Sequence, residues 1–190
     1  MEHFYQNIDG YFDFEQLYSE MVQLASHDAS FVEVGAYYGK SAAYLATEIY
    51  NSGKNIKFHV VDTWRGSPEH QEDGWGRQEA MINDTAFDIF VNNLKLVEGY
   101  YIPHKMTSLQ ASALFEDNSL DFVFIDADHA YESVKADINA WYPKVKPGGY
   151  IGGHDYNKAA EDDPVVKAVD EIFAKNRLKI HSPVSWIVQK

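Results

Sequence analysis

Short apolar runs alternate with helical segments along nearly the whole chain, and this alternation constrains the fold more than any other feature. Phe31–Val34, Ile56–Val61, Tyr100–Lys105, Leu120–Ile125 and Tyr150–Gly152 read as strands. Ser41–Tyr50, Asp84–Leu94, Ser108–Phe115 and Tyr131–Tyr142 read as the helices between them, the last with Tyr131, Val134, Ile138, Trp141 and Tyr142 on one face. A helix over Phe14–His27 precedes the first strand, with Leu17, Met21, Val22 and Leu24 on one side. Pro147-Gly148-Gly149 reads as a turn into the strand Tyr150–Gly152. Asp163–Lys175 reads as a helix with Pro164 in its first turn and Val166, Val169, Ile172 and Phe173 facing inward. Leu178–Ile180 and Ser185–Val188 form a terminal strand pair about Ser182-Pro183. Parallel strands need crossover helices, so the pattern predicts an α/β fold with a doubly wound, mostly parallel sheet.

No Pro/Gly/Ser linker, internal repeat or low-complexity tract divides the 190 residues, so residues 1–190 are expected to form a single domain with a real core. The polar, weakly periodic stretch 64–80 reads as a lid-like insertion after the second strand, decorated by Trp64, Arg65, His70 and Trp75; the alternative is that Trp64 packs down into the core and Trp75 anchors the loop. The acidic start MEHFYQNIDG does not read as a signal peptide, and no run is long enough to span a membrane. The chain has no cysteine, which excludes disulfides and thiolate chemistry and fits a reducing cytoplasm. A net charge of −13, from 29 acids against 16 bases, repels nucleic-acid phosphates and anionic lipid. The expected partners are therefore small molecules, cations, or neutral and basic proteins. Exposed aromatics leave self-association as a homo-oligomer open.

In an open parallel sheet, ligands bind beyond the carboxyl ends of the strands. Residues with chemistry cluster at those ends: Glu33 to Ser41, Asp62, Asp126, and His154-Asp155. The first of these, FVEVGAYYGKSAAYLA, nearly spells a phosphate-binding loop, but too few residues separate Gly35 from Gly39 for the P-loop turn. It also lacks the G-x-G-x-x-G of dinucleotide sites. A nucleotide-dependent enzyme of P-loop or dehydrogenase type is therefore a rival reading with a spacing defect.

The pattern E-x-G-x-x-x-G-x-S resembles motif I of class I S-adenosylmethionine-dependent methyltransferases. DTWRG at 62–66, FIDADHAYESVKADINAWYPKVKPGGYIGGHDY at 124–156 and the terminal strands resemble a small-molecule O-methyltransferase branch associated with sugar and polysaccharide modification. The resemblance covers roughly residues 30 to 190. It implies a Rossmann-like seven-stranded sheet with the last strand antiparallel, S-adenosylmethionine as methyl donor and S-adenosylhomocysteine as product. The acceptor it implies is a sugar or polyol hydroxyl. The cofactor site it implies comprises Glu33, Gly35, Tyr37, Gly39, Lys40, Ser41, Asp62, Thr63, Trp64, Thr107, Ser108 and Asp126. In this reading the glycines let the backbone approach the methionine portion, and Asp62 accepts the ribose hydroxyls.

Asp126 and His154-Asp155 end two strands joined by a crossover helix, so they should lie side by side. Metal-dependent catechol- and caffeoyl-type O-methyltransferases carry Asp and Asp-Asn at these positions; this chain has His-Asp at the second. Two carboxylates and an imidazole make a divalent-metal site, for Mg²⁺ or a transition metal. The alternative is that His154 and Asp155 only cap the loop. His129, just beyond Asp126, is the candidate catalytic base beside it, against the reading of a solvated helix-start residue. A protein that keeps the cofactor pocket without catalysis is a further alternative; Asp126, His129 and Asp155 favour the enzyme.

Overall fold

The computed structural model describes residues 1–67, 78–160, 162–173, 177–182 and 184–190. Strands β1 (Ser30–Val34), β2 (Lys57–Asp62), β3 (Ile102–Lys105), β4 (Leu120–Ile125), β5 (Val145–Gly153), β6 (Leu178–Ile180) and β7 (Trp186–Gln189) form one sheet in the order β3-β2-β1-β4-β5-β7-β6. β1 to β5 are parallel neighbours, and β7 runs antiparallel between β5 and β6. This is the expected mostly parallel, seven-stranded sheet with its last strand reversed.

Seven α-helices among the described residues connect and cover it: α1 (Glu15–Leu24), α2 (Lys40–Ser52), α3 (Glu79–Ile82), α4 (Ala86–Asn93), α5 (Ser108–Ser112), α6 (Tyr131–Trp141) and α7 (Pro164–Ile172). Strands buried on both faces read as continuous apolar runs, and LDFVFI of β4 is the clearest case. Successive side chains point to opposite faces, which builds two cores. Phe31, Phe122 and Phe124 pack with Phe14, Leu17 and Tyr18 on one side. Val32, Val34, Val123 and Ile125 pack with Ile138, Trp141 and Trp186 on the other. Fully burying each such side chain stabilises the fold by about 1.5–3 kcal/mol.

The register decides where the site forms. Val34 stands level with Val61 of β2 and Ile125 of β4, and Ile125 is level with Gly153 of β5. Four parallel strands thus stop at one height, and the chemistry-bearing residues follow directly. One expectation needs correcting: Pro147-Gly148-Gly149 does not precede the strand but lies within β5. Pairing with β4 jumps from Leu120↔Val145 to Phe122↔Tyr150, so the extra residues bulge while the ladder resumes beyond them.

Candidate active site

A cleft of about 1050 Å³ opens over these strand ends. Its first wall is the loop leaving β1. Asp62, the last residue of β2, organises that loop. Its Oδ2 accepts from the backbone N–H of Ala36 (2.8 Å) and Tyr37 (3.0 Å), and its Oδ1 from that of Trp64 (2.7 Å). Asp62 also borders the cleft, so the carboxylate expected to meet a ribose already holds three backbone donors.

Gly35 has φ +90°, and a Cβ there would stand 1.9 Å from the Asp126 carbonyl oxygen. The glycine is therefore demanded by the close approach of two strand ends, a constraint the sequence did not show, and it also borders the cleft. Gly39 (φ +91°) opens α2, and a Cβ on it would meet Leu94 and Phe90 at 2.3 and 2.8 Å. It faces the core. Lys40 borders the cleft and donates from Nζ to the Gly10 carbonyl at 2.9 Å, pinning the N-terminal segment across the opening.

Tyr37, Ser41, Thr63, Thr107, Ser108 and Asp126 also border the cleft. Glu33, Gly39 and Trp64 do not; they support its wall from behind. Glu33 is fully buried, accepts from the Tyr18 hydroxyl at 3.0 Å, and has Ser41 beside it. Its Oε2 finds no hydrogen-bond partner among the described residues, and burial pushes its carboxyl up to about 8. Trp64 packs on Phe87 and Phe90 and donates its indole N–H to the Tyr37 carbonyl at 2.9 Å. It is a core residue, the second of the two readings its sequence position allowed. The rest of the expected lid, with His70 and Trp75, lies outside the described residues.

At the other end stand Asp126, His129, His154 and Asp155. His154 is 4% exposed in its side chain, with Nδ1 3.2 Å from Asp155 Oδ2 and 3.9 Å from Asp126 Oδ1. Its Nε2 lies 2.9 Å from Asp13 Oδ1. His129 Nε2 is 3.0 Å from Asp155 Oδ2 and 4.0 Å from Asp126 Oδ1. Burial pushes Asp126 up to about 6, against the pull of His154 and His129. Burial alone would lower His154, but Asp155, Asp126 and Asp13 together push it up to about 9. Burial opposes ionisation of Asp155 too, yet His129 and His154 hold it well below the usual carboxylate range. One ligand atom each from Asp126, His154 and Asp155 lies within 4.8 Å of the others, a donor set that fits a divalent cation.

Three contributions escaped the sequence. Gly10 and Tyr11 border the cleft, Asp13 holds His154, and Asp137 of α6 lines the cleft wall. Asp137 had a signal: it is an acid beside Val134, Ile138 and Trp141 on the inward face of its helix. The N-terminal residues had none, because no periodicity marks a segment placed by contacts far along the chain.

A sheet of order β3-β2-β1-β4-β5-β7-β6 with its cleft beyond β1, β2 and β4 is the Rossmann-like architecture of class I methyltransferases. Residues 32–156 match the family described as methyltransferase domain, and the chain belongs to that family. It is 27% identical over 163 residues to an uncharacterized protein of Acanthamoeba polyphaga mimivirus, covering 85% of this chain and 66% of the viral protein. It is 30% identical over 124 residues to an uncharacterized protein of Sinorhizobium fredii, covering 65% of this chain and 13% of that one. Among solved structures, the O-methyltransferase NovP superposes with a TM-score of 0.65 at 20% identity, over 93% of this chain and 78% of NovP. The Bacillus cereus O-methyltransferase in complex with S-adenosylhomocysteine gives 0.58 at 17% identity, over 97% and 86%. At these identities the likeness is one of fold.

Proposed function

We propose that the protein transfers a methyl group from S-adenosylmethionine to a hydroxyl of a small molecule, a sugar or another polyol. The observation that carries this reading is the continuity of one cleft, with the Gly35–Ser41 loop and Asp62 at one end and Asp126, His129, His154 and Asp155 at the other. A sulfonium cofactor supplies an electrophilic methyl group, so the protein must align an oxygen with it and remove a proton. Tyr37, Ser41 and Asp62 would bind and orient the cofactor. His129, half exposed in the cleft, would receive the hydroxyl proton as the C–O bond forms and the C–S bond breaks. Asp155, 3.0 Å from His129 Nε2, would stabilise the imidazolium that results.

Asp126, His154 through Nδ1, and Asp155 would hold a divalent cation, Mg²⁺ or a transition metal, which when bound lowers the pKa of a neighbouring hydroxyl. The size of the cleft suits a small-molecule acceptor, and the polyol class rests on the resemblance of residues 62–66 and 124–156 to the O-methyltransferase branch associated with sugar and polysaccharide modification. The net charge of −13 argues against a nucleic-acid acceptor. No helix among the described residues is long and apolar enough to cross a membrane.

Calorimetry against S-adenosylmethionine, S-adenosylhomocysteine, ATP and NAD tests the cofactor; binding of ATP or NAD alone overturns it. Methyl transfer to a panel of polyols, with and without EDTA, tests the rest. EDTA should stop turnover and spare S-adenosylhomocysteine binding, and His129→Ala should slow turnover by roughly a hundredfold. Cofactor binding without turnover on any acceptor would favour a binding protein, and full activity in EDTA would remove the metal.

A further inference from the structure

The segment before α1 brings to the cleft an aromatic ring that the chemistry above does not use. Tyr11 borders the cleft and is 75% exposed, the most exposed large hydrophobic side chain among the described residues. It lies outside residues 32–156, the stretch that matches the methyltransferase family. Its neighbours in the chain are anchored. Phe12 and Phe14 are buried in the core, and the Gly10 carbonyl accepts from Lys40 Nζ at 2.9 Å. Gly10 has φ +130°, and a Cβ there would meet the Tyr37 ring at 3.3 Å, so the chain turns against the Gly35–Ser41 loop just before Tyr11.

The ring itself is tied to the reacting end of the cleft. Its hydroxyl donates to Asp13 Oδ2 at 3.2 Å, and Asp13 Oδ1 lies 2.9 Å from His154 Nε2. One carboxylate thus holds both rings, whose centroids are 6.0 Å apart with their planes at 50°. The charge of Asp13, and more weakly that of Asp155, push the phenol above its ordinary value of about 10, so the ring is neutral at physiological pH. Single apolar side chains on an open surface need no explanation. Tyr11 differs, because it borders a cleft and shares its anchor with the Asp126, His154 and Asp155 cluster.

The acceptor oxygen must approach that cluster, so the body of a ring-sized acceptor comes within reach of Tyr11. The face of an aromatic ring is its negative side and attracts polarised C–H bonds. A cyclic polyol offers such bonds together on one face, with its hydroxyls around the rim. An open-chain polyol carries the same groups on no fixed face and must lose rotational freedom to make one. We infer that Tyr11 is a specificity-determining residue on which the C–H face of a cyclic polyol stacks, so that ring acceptors are selected over open-chain ones. This deepens the polyol reading above and rests on it.

The test compares methyl α-glucopyranoside and myo-inositol with open-chain sorbitol, in wild type, Tyr11→Ala and Tyr11→Phe. Methyl-transfer assays give kcat and KM. Saturation-transfer difference NMR on the protein loaded with S-adenosylhomocysteine gives Kd whether or not turnover occurs. Wild type should prefer the cyclic compounds. Tyr11→Ala should raise their KM and Kd about three- to tenfold, with kcat, the sorbitol values and S-adenosylhomocysteine affinity within about twofold of wild type. Tyr11→Phe keeps the ring without the Asp13 bond and should stay within about twofold of wild type throughout. A phenylalanine variant as impaired as the alanine variant would show that Tyr11 acts only through Asp13. Equal losses for cyclic and open-chain compounds would show that it does not select rings. Either result overturns the inference and leaves the methyltransferase reading standing. A wild type that binds S-adenosylhomocysteine but neither binds nor methylates any of the three polyols would reject the polyol reading, and the inference with it.

Discussion

Asp13 and His154 are 141 residues apart in sequence and 2.9 Å apart in space, carboxylate Oδ1 to imidazole Nε2. The segment before α1 thus reaches across the sheet to hold a ring at the end of β5. Asp13 holds the proton on Nε2, so a cation that displaced the Nδ1 proton would find that lone pair facing it beside Asp155 and Asp126. A carboxylate behind a metal-binding histidine fixes its tautomer and strengthens it as a ligand.

Asp13→Ala is therefore expected to weaken divalent-cation binding about 10- to 100-fold, with S-adenosylhomocysteine affinity unchanged. Mn²⁺ titration followed by electron paramagnetic resonance reads the first, and calorimetry the second. Equal Mn²⁺ affinity in variant and wild type would show that Asp13 only anchors the segment. A wild type that ignores Mn²⁺ would reject the metal site itself.

Gly35→Ala should damage the fold and not merely the ligand site, since the new methyl would meet the Asp126 carbonyl at 1.9 Å in a left-handed backbone. A loss of about 3 kcal/mol or more is expected, a fall in melting temperature of roughly 6–12 °C. Scanning fluorimetry without ligand gives the answer, and a melting point within about 2 °C of wild type would contradict the close approach.

Asp62→Ala should lower S-adenosylhomocysteine affinity more than tenfold and also lower the melting temperature of the ligand-free protein, because the Ala36, Tyr37 and Trp64 donors lose their acceptor. Affinity loss at an unchanged melting temperature would confine Asp62 to ligand contact.

A pH response should come from His59 of β2 and His104 of β3, whose ring nitrogens lie 2.9 Å apart. Burial, then His104 and Lys57, push His59 down to about 4, and burial lowers His104. The folded rings resist protons that the unfolded chain accepts near its ordinary value of about 6.5. Stability is thus complete above that pH and is lost as pH falls toward 4, at up to ~1.4 kcal/mol per pH unit for each ring. Denaturant titrations at a series of pH values should show a shallower acid limb for His59→Gln; an identical limb would show that the pair does not titrate with unfolding.

The strands were legible because those of a parallel sheet are buried on both faces and leave unbroken apolar runs, as in Leu120–Ile125. The acids at their ends marked the cleft for the same reason: Asp62 and Asp126 each follow such a run directly. Trp64 could be read both ways, since an aromatic beside a polar stretch suits a lid or the core until its indole is seen bonded to the Tyr37 carbonyl. The β5 bulge escaped because Pro147-Gly148-Gly149 carries a true local turn signal that pairing on either side overrides. Asp13 was invisible, its importance arising only from a partner 141 residues away.

The double duty of Asp62 bears on how such a site can change over time. A side chain that borders the cleft and also ties down three backbone donors cannot be exchanged without rebuilding the loop it holds. Whether by natural drift or laboratory selection, change at this end of the cleft is expected to be slow, because the position is held constant by the chain's own need to fold.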